Sequence, residues 1–242
     1  MLARIERLRR ELEGVDGAEM RHRLARIAPN LTLSERFDLL HALGVYRGRD
    51  SASGEASDTV ATGPLRKALP ELVASLGVRL VLDAPCGDCH WMSMIGFAGA
   101  EAYLGIDIVG AVIAENRQRY SGPGRDFRVG DITRDDLPKA DLALCRDALI
   151  HLGNEDALAA LRRFVRSGSR WLLTTTFDAS RGNVDIESGS FRPVALEAAP
   201  FFLPEPELRI AEADPSAEGL FPDRSIALWS LTSVAKALTF RP

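Results

Sequence analysis

A chain of 242 residues can bury one sizeable core with some decoration, and its 46% hydrophobic and 26% charged residues are those of an ordinary globular protein. A net charge of −4 with no lysine-rich run argues against a nucleic-acid binder, which carries a basic footprint. Three cysteines, Cys86, Cys89 and Cys145, are too few and too odd in number for a disulfide framework, and no apolar run reaches the length of a membrane span. The expectation is a cytoplasmic protein that engages neither nucleic acid nor membrane.

The first segment reads as helical. Leu2, Ile5, Leu8 and Leu12 recur at helical spacing, and Met20, Leu24 and Ile27 form a second short set stopped by Pro29. Thr32 followed three residues later by Glu35 has the form of a capping box ahead of Phe37, Leu40 and Leu43. These helices suit a cap over a sheet edge or a homodimer contact. The small, polar stretch from Gly48 to Gly63 reads either as a disordered linker or as a mobile loop that orders over a ligand. Pro64 then opens a helix through Leu65, Leu69, Leu72 and Leu76. We take residues 1–76 as cap and loop, and 77–242 as the main domain.

From Val78 onward strands and helices alternate. Strands are predicted at Arg79–Ala84, Ala102–Asp107, Asp126–Gly130, Ala140–Cys145 and Trp171–Phe177, with helices at Gly110–Tyr120 and Glu155–Ser167. This rhythm predicts an α/β fold with a doubly wound, mainly parallel, Rossmann-like sheet of seven strands. Residues 179–206, rich in Gly, Pro and Phe, read as an insertion that closes over a substrate. Glu207–Ala213 and Ser225–Ser233 complete the sheet as an antiparallel edge pair.

The chemistry gathers where the first strand ends, at Leu80-Val81-Leu82-Asp83-Ala84-Pro85-Cys86-Gly87-Asp88. A pyrophosphate-binding turn needs several closely placed glycines. Here Gly87 stands alone between Asp83 and Asp88. Carboxylates repel a pyrophosphate but favour an ammonium or sulfonium, so the pocket suits a cationic nucleoside such as S-adenosylmethionine. Asp107 closes the second strand and can accept from both ribose hydroxyls. Asp131 and Ile132 follow the third strand, placed for the amine and ring of adenine.

These motifs resemble class I S-adenosylmethionine-dependent methyltransferases. More narrowly, the chain is similar to a bacterial subgroup with a Pro-Cys-Gly-Asp turn, here Pro85–Asp88, followed by Trp91-Met92. Arg146-Asp147-Ala148-Leu149-Ile150-His151-Leu152 matches that subgroup's Arg-Asp-x-x-x-His-Leu segment, and Ser51–Ser57 its Ser-Gly-rich loop. Cys89, His90 and Ala56 depart from the subgroup pattern. The candidate cofactor positions are thus Asp83, Ala84, Pro85 and Gly87, then Asp107 and Ile108, then Asp131 and Ile132. The resemblance adds Arg146 and Trp91 to them.

The implied activity is methyl transfer to a small-molecule acceptor, with an oxygen of a sugar or secondary metabolite as the expected target. Asp147 and His151 lie just past the fourth strand and are the candidate catalytic pair, because His151 has a near-neutral reference pKa. Ser53, His90, Asn183, Arg192 and Trp229 are candidate acceptor contacts. No metal is expected, although Cys86-x-x-Cys89 invites a redox or zinc reading. A non-catalytic binding module of the same fold and a nicotinamide dehydrogenase compete with the methyltransferase.

Overall fold

A computed structural model describes residues 30–212 and 221–239, so the helices expected before Pro29 lie outside the described residues. Helix α1 (Leu33–Ala42) begins at the expected capping box: the Thr32 side chain accepts from the Glu35 N–H while Glu35 takes the Thr32 N–H. Two donors of the first turn are thereby satisfied without solvent. Helix α2 (Gly63–Ser75) carries Pro64 in its first turn, where proline removes only an N–H that lacks an intrahelical partner.

The sheet follows as β1 (Leu80–Asp83), β2 (Ala102–Asp107), β3 (Arg125–Val129), β4 (Leu142–Cys145), β5 (Trp171–Thr176), β6 (Leu208–Ala211) and β7 (Ser225–Ser230). Helices α3 (His90–Met94), α4 (Gly110–Tyr120), α5 (Asn154–Arg166) and α6 (Leu231–Thr239) complete the described elements. Strand order is β3-β2-β1-β4-β5-β7-β6, parallel through β5, with β7 antiparallel to both of its neighbours. This is the predicted seven-stranded, doubly wound sheet with an antiparallel edge.

Both faces of the sheet are covered, so successive residues of one strand enter different cores. Val81, Tyr103, Leu142, Leu144 and Leu173 pack on the α2–α4 side. Leu82, Leu104, Ala143, Leu172 and Trp229 pack on the α5–α6 side with Leu161 and Phe164. Among the interior strands apolar residues therefore run almost continuously, as the sequence already displays.

Most boundaries shift slightly from the sequence reading, and two of the shifts have a clear cause. Asp141 falls inside the predicted fourth strand, but its carboxylate accepts the N–H groups of Arg79 and Leu80 at 2.9 Å each and so pins the start of β1. The last predicted strand runs to Ser233, whereas β7 ends at Ser230. The Ser230 hydroxyl accepts the Ser233 N–H at 3.1 Å, which caps α6 and turns Leu231 and Val234 onto one buried helical face.

Between β5 and β6, residues 177–207 are irregular apart from a short turn at Ala179–Arg181. This segment is stitched back to the main chain after β4. Gly189 N–H donates to the His151 carbonyl at 2.7 Å and Arg192 N–H to the Ile150 carbonyl at 3.0 Å. The sheet thus sets the positions of the β-strand carboxyl ends, and the cap, the Gly48–Gly63 loop and the 177–207 segment surround them.

Candidate active site

One cavity of about 160 Å3 opens at the carboxyl ends of β1, β2 and β4, the place where the strand order reverses. Asp83, Pro85, Gly87, Asp107, Ile108, Asp131 and Ile132 all line it, as do Trp91, Arg146, Asp147 and His151. Ala84 lies behind the lining, fully buried. The three strand-end acids, spread over 49 positions of sequence, therefore meet in one chamber.

The turn after β1 is built on close backbone approach. Gly87 has φ +53°, and a Cβ there would stand 2.5 Å from the Ser53 hydroxyl oxygen, so a side chain would strain the backbone and displace Ser53. Its N–H donates to Asp107 Oδ2 at 2.9 Å, and the other oxygen of Asp107 takes the Val109 N–H at 2.9 Å. Each oxygen keeps a further acceptor site, so the carboxylate is oriented without being exhausted. Burial raises its pKa above the ordinary aspartate value, opposed by those two N–H groups. Asp131 is held differently: its Oδ1 accepts from the N–H and hydroxyl of Thr133 at 2.8 and 2.7 Å, a tight local turn.

Asp83 is buried and accepts from the Tyr103 hydroxyl at 2.6 Å. Burial pushes its pKa up to about 7, with the Tyr103 hydrogen bond opposing and the nearby Asp107 adding to the rise. Asp147 has the opposite setting. Arg224 grips both of its oxygens at 2.8 and 2.7 Å, Arg146 Nη1 lies 3.0 Å from Oδ2, and the Thr175 hydroxyl donates at 3.1 Å. Burial alone would raise this carboxyl, but the two guanidinium groups hold it well below the usual carboxylate range. Glu212 closes the network, accepting from Arg146 Nε at 2.7 Å and pairing with Arg224 at 3.2 Å. Two arginines and two acids balance inside the protein. Asp147 is consequently corrected from a candidate base to an anchor of this network, because an anion held that strongly has little affinity for a proton.

His151 lines the same cavity. Its Nδ1 lies 2.8 Å from the Ser190 carbonyl, which can only accept, so Nδ1 carries the hydrogen and the basic lone pair is at Nε2. The ring lies 4.9 Å from that of Tyr46, whose hydroxyl donates to the Gly189 carbonyl at 3.1 Å. The 179–206 segment thus supports His151 from behind. None of its described residues lines the cavity, contrary to the expectation that it closes over an acceptor.

The weaker acceptor candidates divide. Ser53 lines the cavity, and its hydroxyl accepts the Asp88 N–H at 2.8 Å. His90 lies just outside, with Nε2 3.5 Å from the Thr59 hydroxyl. Asn183 is spent on the backbone of Ala195 and Ala199 and Trp229 on the Pro204 carbonyl, while the buried Arg192 gives Nη2 to the Leu152 carbonyl and the Asn154 side chain. Those three support the fold and do not reach the cavity. Conversely, Leu33, Phe37 and His41, one face of α1, enter the lining with Tyr46, and sequence reasoning misses them. Their spacing of four is visible in the sequence, but nothing local says which way that face turns.

Cys86 and Cys89 pack with Asn116, whose side-chain amide lies 3.7 and 3.6 Å from their sulfurs, and Cys89 Sγ is 3.3 Å from the Tyr103 hydroxyl. Burial pushes the Cys86 thiol well up, away from the thiolate that redox or zinc chemistry uses. Among the described residues no three histidine, cysteine or acidic side chains are grouped as a metal would need. No described helix is long and apolar enough to cross a membrane.

Residues 81–168 match the family model described as a methyltransferase domain. The fold is the class I methyltransferase fold. The N-methyltransferase NodS from Bradyrhizobium japonicum WM9, solved with S-adenosylhomocysteine, has a TM-score of 0.56 at 16% identity, covering 76% of this chain and 93% of its own. Magnesium protoporphyrin IX methyltransferase from Synechocystis PCC 6803, also with S-adenosylhomocysteine, gives 0.50 at 15% identity, over 73% and 90% of the two chains. The 1,6-didemethyltoxoflavin-N1-methyltransferase of Burkholderia thailandensis gives 0.52 at 18% identity, over 72% and 79%. No curated protein sequence matches the chain. S-adenosylmethionine is the cofactor of this methyltransferase fold. The donor set agrees: strand-end carboxylates and a single-glycine turn fit a cationic nucleoside and leave no cradle for a pyrophosphate.

Proposed function

We infer that this chain is an S-adenosylmethionine-dependent methyltransferase acting on an oxygen of a small molecule. The observation that carries the reading is the single cavity that Asp83, Asp107, Asp131 and His151 all line. Asp107 takes the ribose hydroxyls, since its two oxygens are aimed by Gly87 and Val109 and retain acceptor capacity. Asp131 Oδ2 and the Ile132 N–H take the adenine edge, with Ile108 beside the ring. Pro85, Gly87 and the Asp83 carboxyl frame the cationic end, and Trp91 lies under it with Arg146 Cζ 5.7 Å from its ring centre. Arg146 acts here by holding the wall, because Glu212, Asp147 and the Ala56 carbonyl occupy its guanidinium nitrogens.

When bound, the cofactor supplies an activated methyl group on sulfonium. The protein has to align the acceptor and take its proton. The cavity wall would hold the acceptor oxygen toward the cofactor's methyl group, and His151 Nε2 would take the hydroxyl proton that the oxygen gives up on methylation. Two of the solved structures named above are, by their names, methyltransferases of small molecules, magnesium protoporphyrin IX and 1,6-didemethyltoxoflavin, which supports a small acceptor.

Calorimetry with S-adenosylmethionine and S-adenosylhomocysteine is the first test. Asp107→Ala should weaken binding by about 1–3 kcal/mol, the scale of lost charge-assisted contacts. Unchanged affinity removes the ribose assignment. His151→Ala should lower turnover by about 10²–10⁴-fold at unaltered cofactor affinity. A variant that turns over normally removes the base.

A further inference from the structure

Methyl transfer alone leaves the acceptor class open, and the cavity wall narrows it. Leu33, Phe37 and His41 stand at successive fourth positions of α1 and so project from one face into the chamber. Phe37 lies 6.4 Å from Tyr46 with their planes 22° apart, and Tyr46 lies 4.9 Å from His151. Three rings from the cap and the segment after β4 thus form one continuous wall, with Leu33 and Leu152 filling in around it. The base assigned above is itself part of that wall.

The polar side of the chamber has little to offer a polyhydroxylated ligand. No described lining residue is asparagine, glutamine or glutamate; besides the acids and Arg146 the polar lining includes Ser53, Ser57, Thr133 and His41, of which Ser53 and Thr133 already bond Asp88 and Asp131. Most of the acids present are engaged. Asp88 takes the Ser51 hydroxyl and Ala52 N–H at 3.0 and 2.7 Å, Asp147 is saturated by arginine, and Asp83 holds the Tyr103 hydroxyl. Asp107 and Asp131 belong to the cofactor. The Tyr46 hydroxyl is directed away, onto the Gly189 carbonyl. Arg146, the lining guanidinium, is balanced by Asp147 and Glu212 and so provides no seat for an anionic acceptor.

The geometry points to a planar aromatic hydroxyl compound as the acceptor, seated against the Phe37–Tyr46–His151 wall and giving its one reacting proton to His151 Nε2. This rests on the methyl-transfer reading of the same cavity. Of the sugar or secondary metabolite expected from sequence, it favours the latter. A phenolic hydroxyl suits a histidine base because it is far more acidic than an alcohol, so proton removal asks less of the imidazole. Ring stacking needs no further polar partners, and this wall provides few.

The experiment uses the full chain loaded with S-adenosylhomocysteine, whose binding is first established by calorimetry. Saturation-transfer NMR then compares 2-naphthol and catechol with methyl α-D-glucoside and myo-inositol, and methyl transfer from labelled S-adenosylmethionine is followed for the same four. The aromatic hydroxyl compounds should bind at least about tenfold more tightly than either polyol and should alone be methylated. Tyr46→Leu should weaken naphthol binding by about 2- to 10-fold, the range of a lost ring contact, while Tyr46→Phe leaves it nearly unchanged. Both variants should keep cofactor affinity, which also shows that they are folded. Cofactor binding together with preferred binding or methylation of a polyol overturns the aromatic acceptor but not the methyltransferase. So does cofactor binding with no saturation of either aromatic probe, or a Tyr46→Leu variant that binds naphthol as before. Failure to bind S-adenosylhomocysteine overturns the methyltransferase reading, and this inference with it.

Discussion

Asp83 ends β1 and Asp147 follows β4, the strand beside it; both aspartates are largely buried, and both line the same cavity. Their carboxyl groups nevertheless move in opposite directions. Asp83 has a phenol for its partner, and burial lifts it to about 7. Asp147 has two guanidinium groups and is held well below the usual range. Burial penalises the charge at each place, so the sign is decided by whether a counter-charge comes with it. Asp83 can therefore meet a cation as an adjustable acid, whereas Asp147 is a fixed structural anion. The same substitution should separate them.

Asp147→Asn is the larger effect. It leaves Arg146 and Arg224 facing Glu212 alone, an excess positive charge in a buried network, and should destabilise the protein by about 3–5 kcal/mol. Asp147 also sits at φ +54°, a conformation that its bonds to Thr175 and Arg224 sustain, which adds to the loss when they weaken. Asp83→Asn exchanges a group already half protonated near neutrality for a neutral one of the same shape. Urea unfolding at pH 7.5 should show a small change for Asp83→Asn, on the order of 1 kcal/mol or less either way. Equal losses in the two variants would break the contrast.

What distinguishes these residues also decides what the sequence could reveal. Asp83 and Asp107 are legible because each closes an apolar run whose strand character is local, and the parallel sheet then brings the run ends together. The capping box at Thr32 and Glu35 is legible for the same reason. Asp131 follows the mostly charged β3 and is legible only from its place in the alternation of strands and helices. The partners of Asp147 are not: Arg224 is 77 residues from it, and Glu212 is 66 residues from Arg146. Without them Asp147 looks like a base next to His151. Tyr46 is a similar case, as its place against His151 depends on how the cap lies over the sheet. Trp229 misleads in the other direction, since it stands among the candidate acceptor contacts, yet its ring is buried on β7.

The second effect is in the pH dependence. Between about 4 and 7 the folded protein holds a proton on Asp83 that the unfolded chain has released. This contribution to stability is fully present below the unfolded pKa and is lost as pH rises through about 7, after which it stays flat. Its slope in that window is about 1.4 kcal/mol per pH unit for one proton. Denaturant midpoints of the wild type should therefore fall, relative to those of Asp83→Asn, as pH rises from 4.5 to 7. A difference between the two proteins that is constant across this range would remove the raised carboxyl. Asp147 acts with the opposite sign, stabilising above the ordinary aspartate pKa and weakening only under strong acid.

Tyr103→Phe is the smallest and most selective perturbation. It removes the hydroxyl that donates to Asp83 at 2.6 Å and keeps the ring, which packs 4.6 Å from Phe97 and 5.8 Å from Phe127. The lost hydrogen bond should reduce stability by about 1–2 kcal/mol, and only while Asp83 and the phenol are both in place, so the double variant with Asp83→Asn should be less than additive. Because the hydroxyl favours the ionised carboxylate, its removal should also move the Asp83 titration upward, extending the stability decline beyond pH 7. A cationic ligand at Asp83 should move the same titration downward. Calorimetry in buffers of different ionisation enthalpy should then detect proton release on S-adenosylmethionine binding near pH 6.5, greater in Tyr103→Phe than in wild type at pH 7.5, and absent in Asp83→Asn. Proton release that persists in Asp83→Asn would assign the titrating group elsewhere in the chamber, and the two aspartates would no longer differ in the way their partners imply.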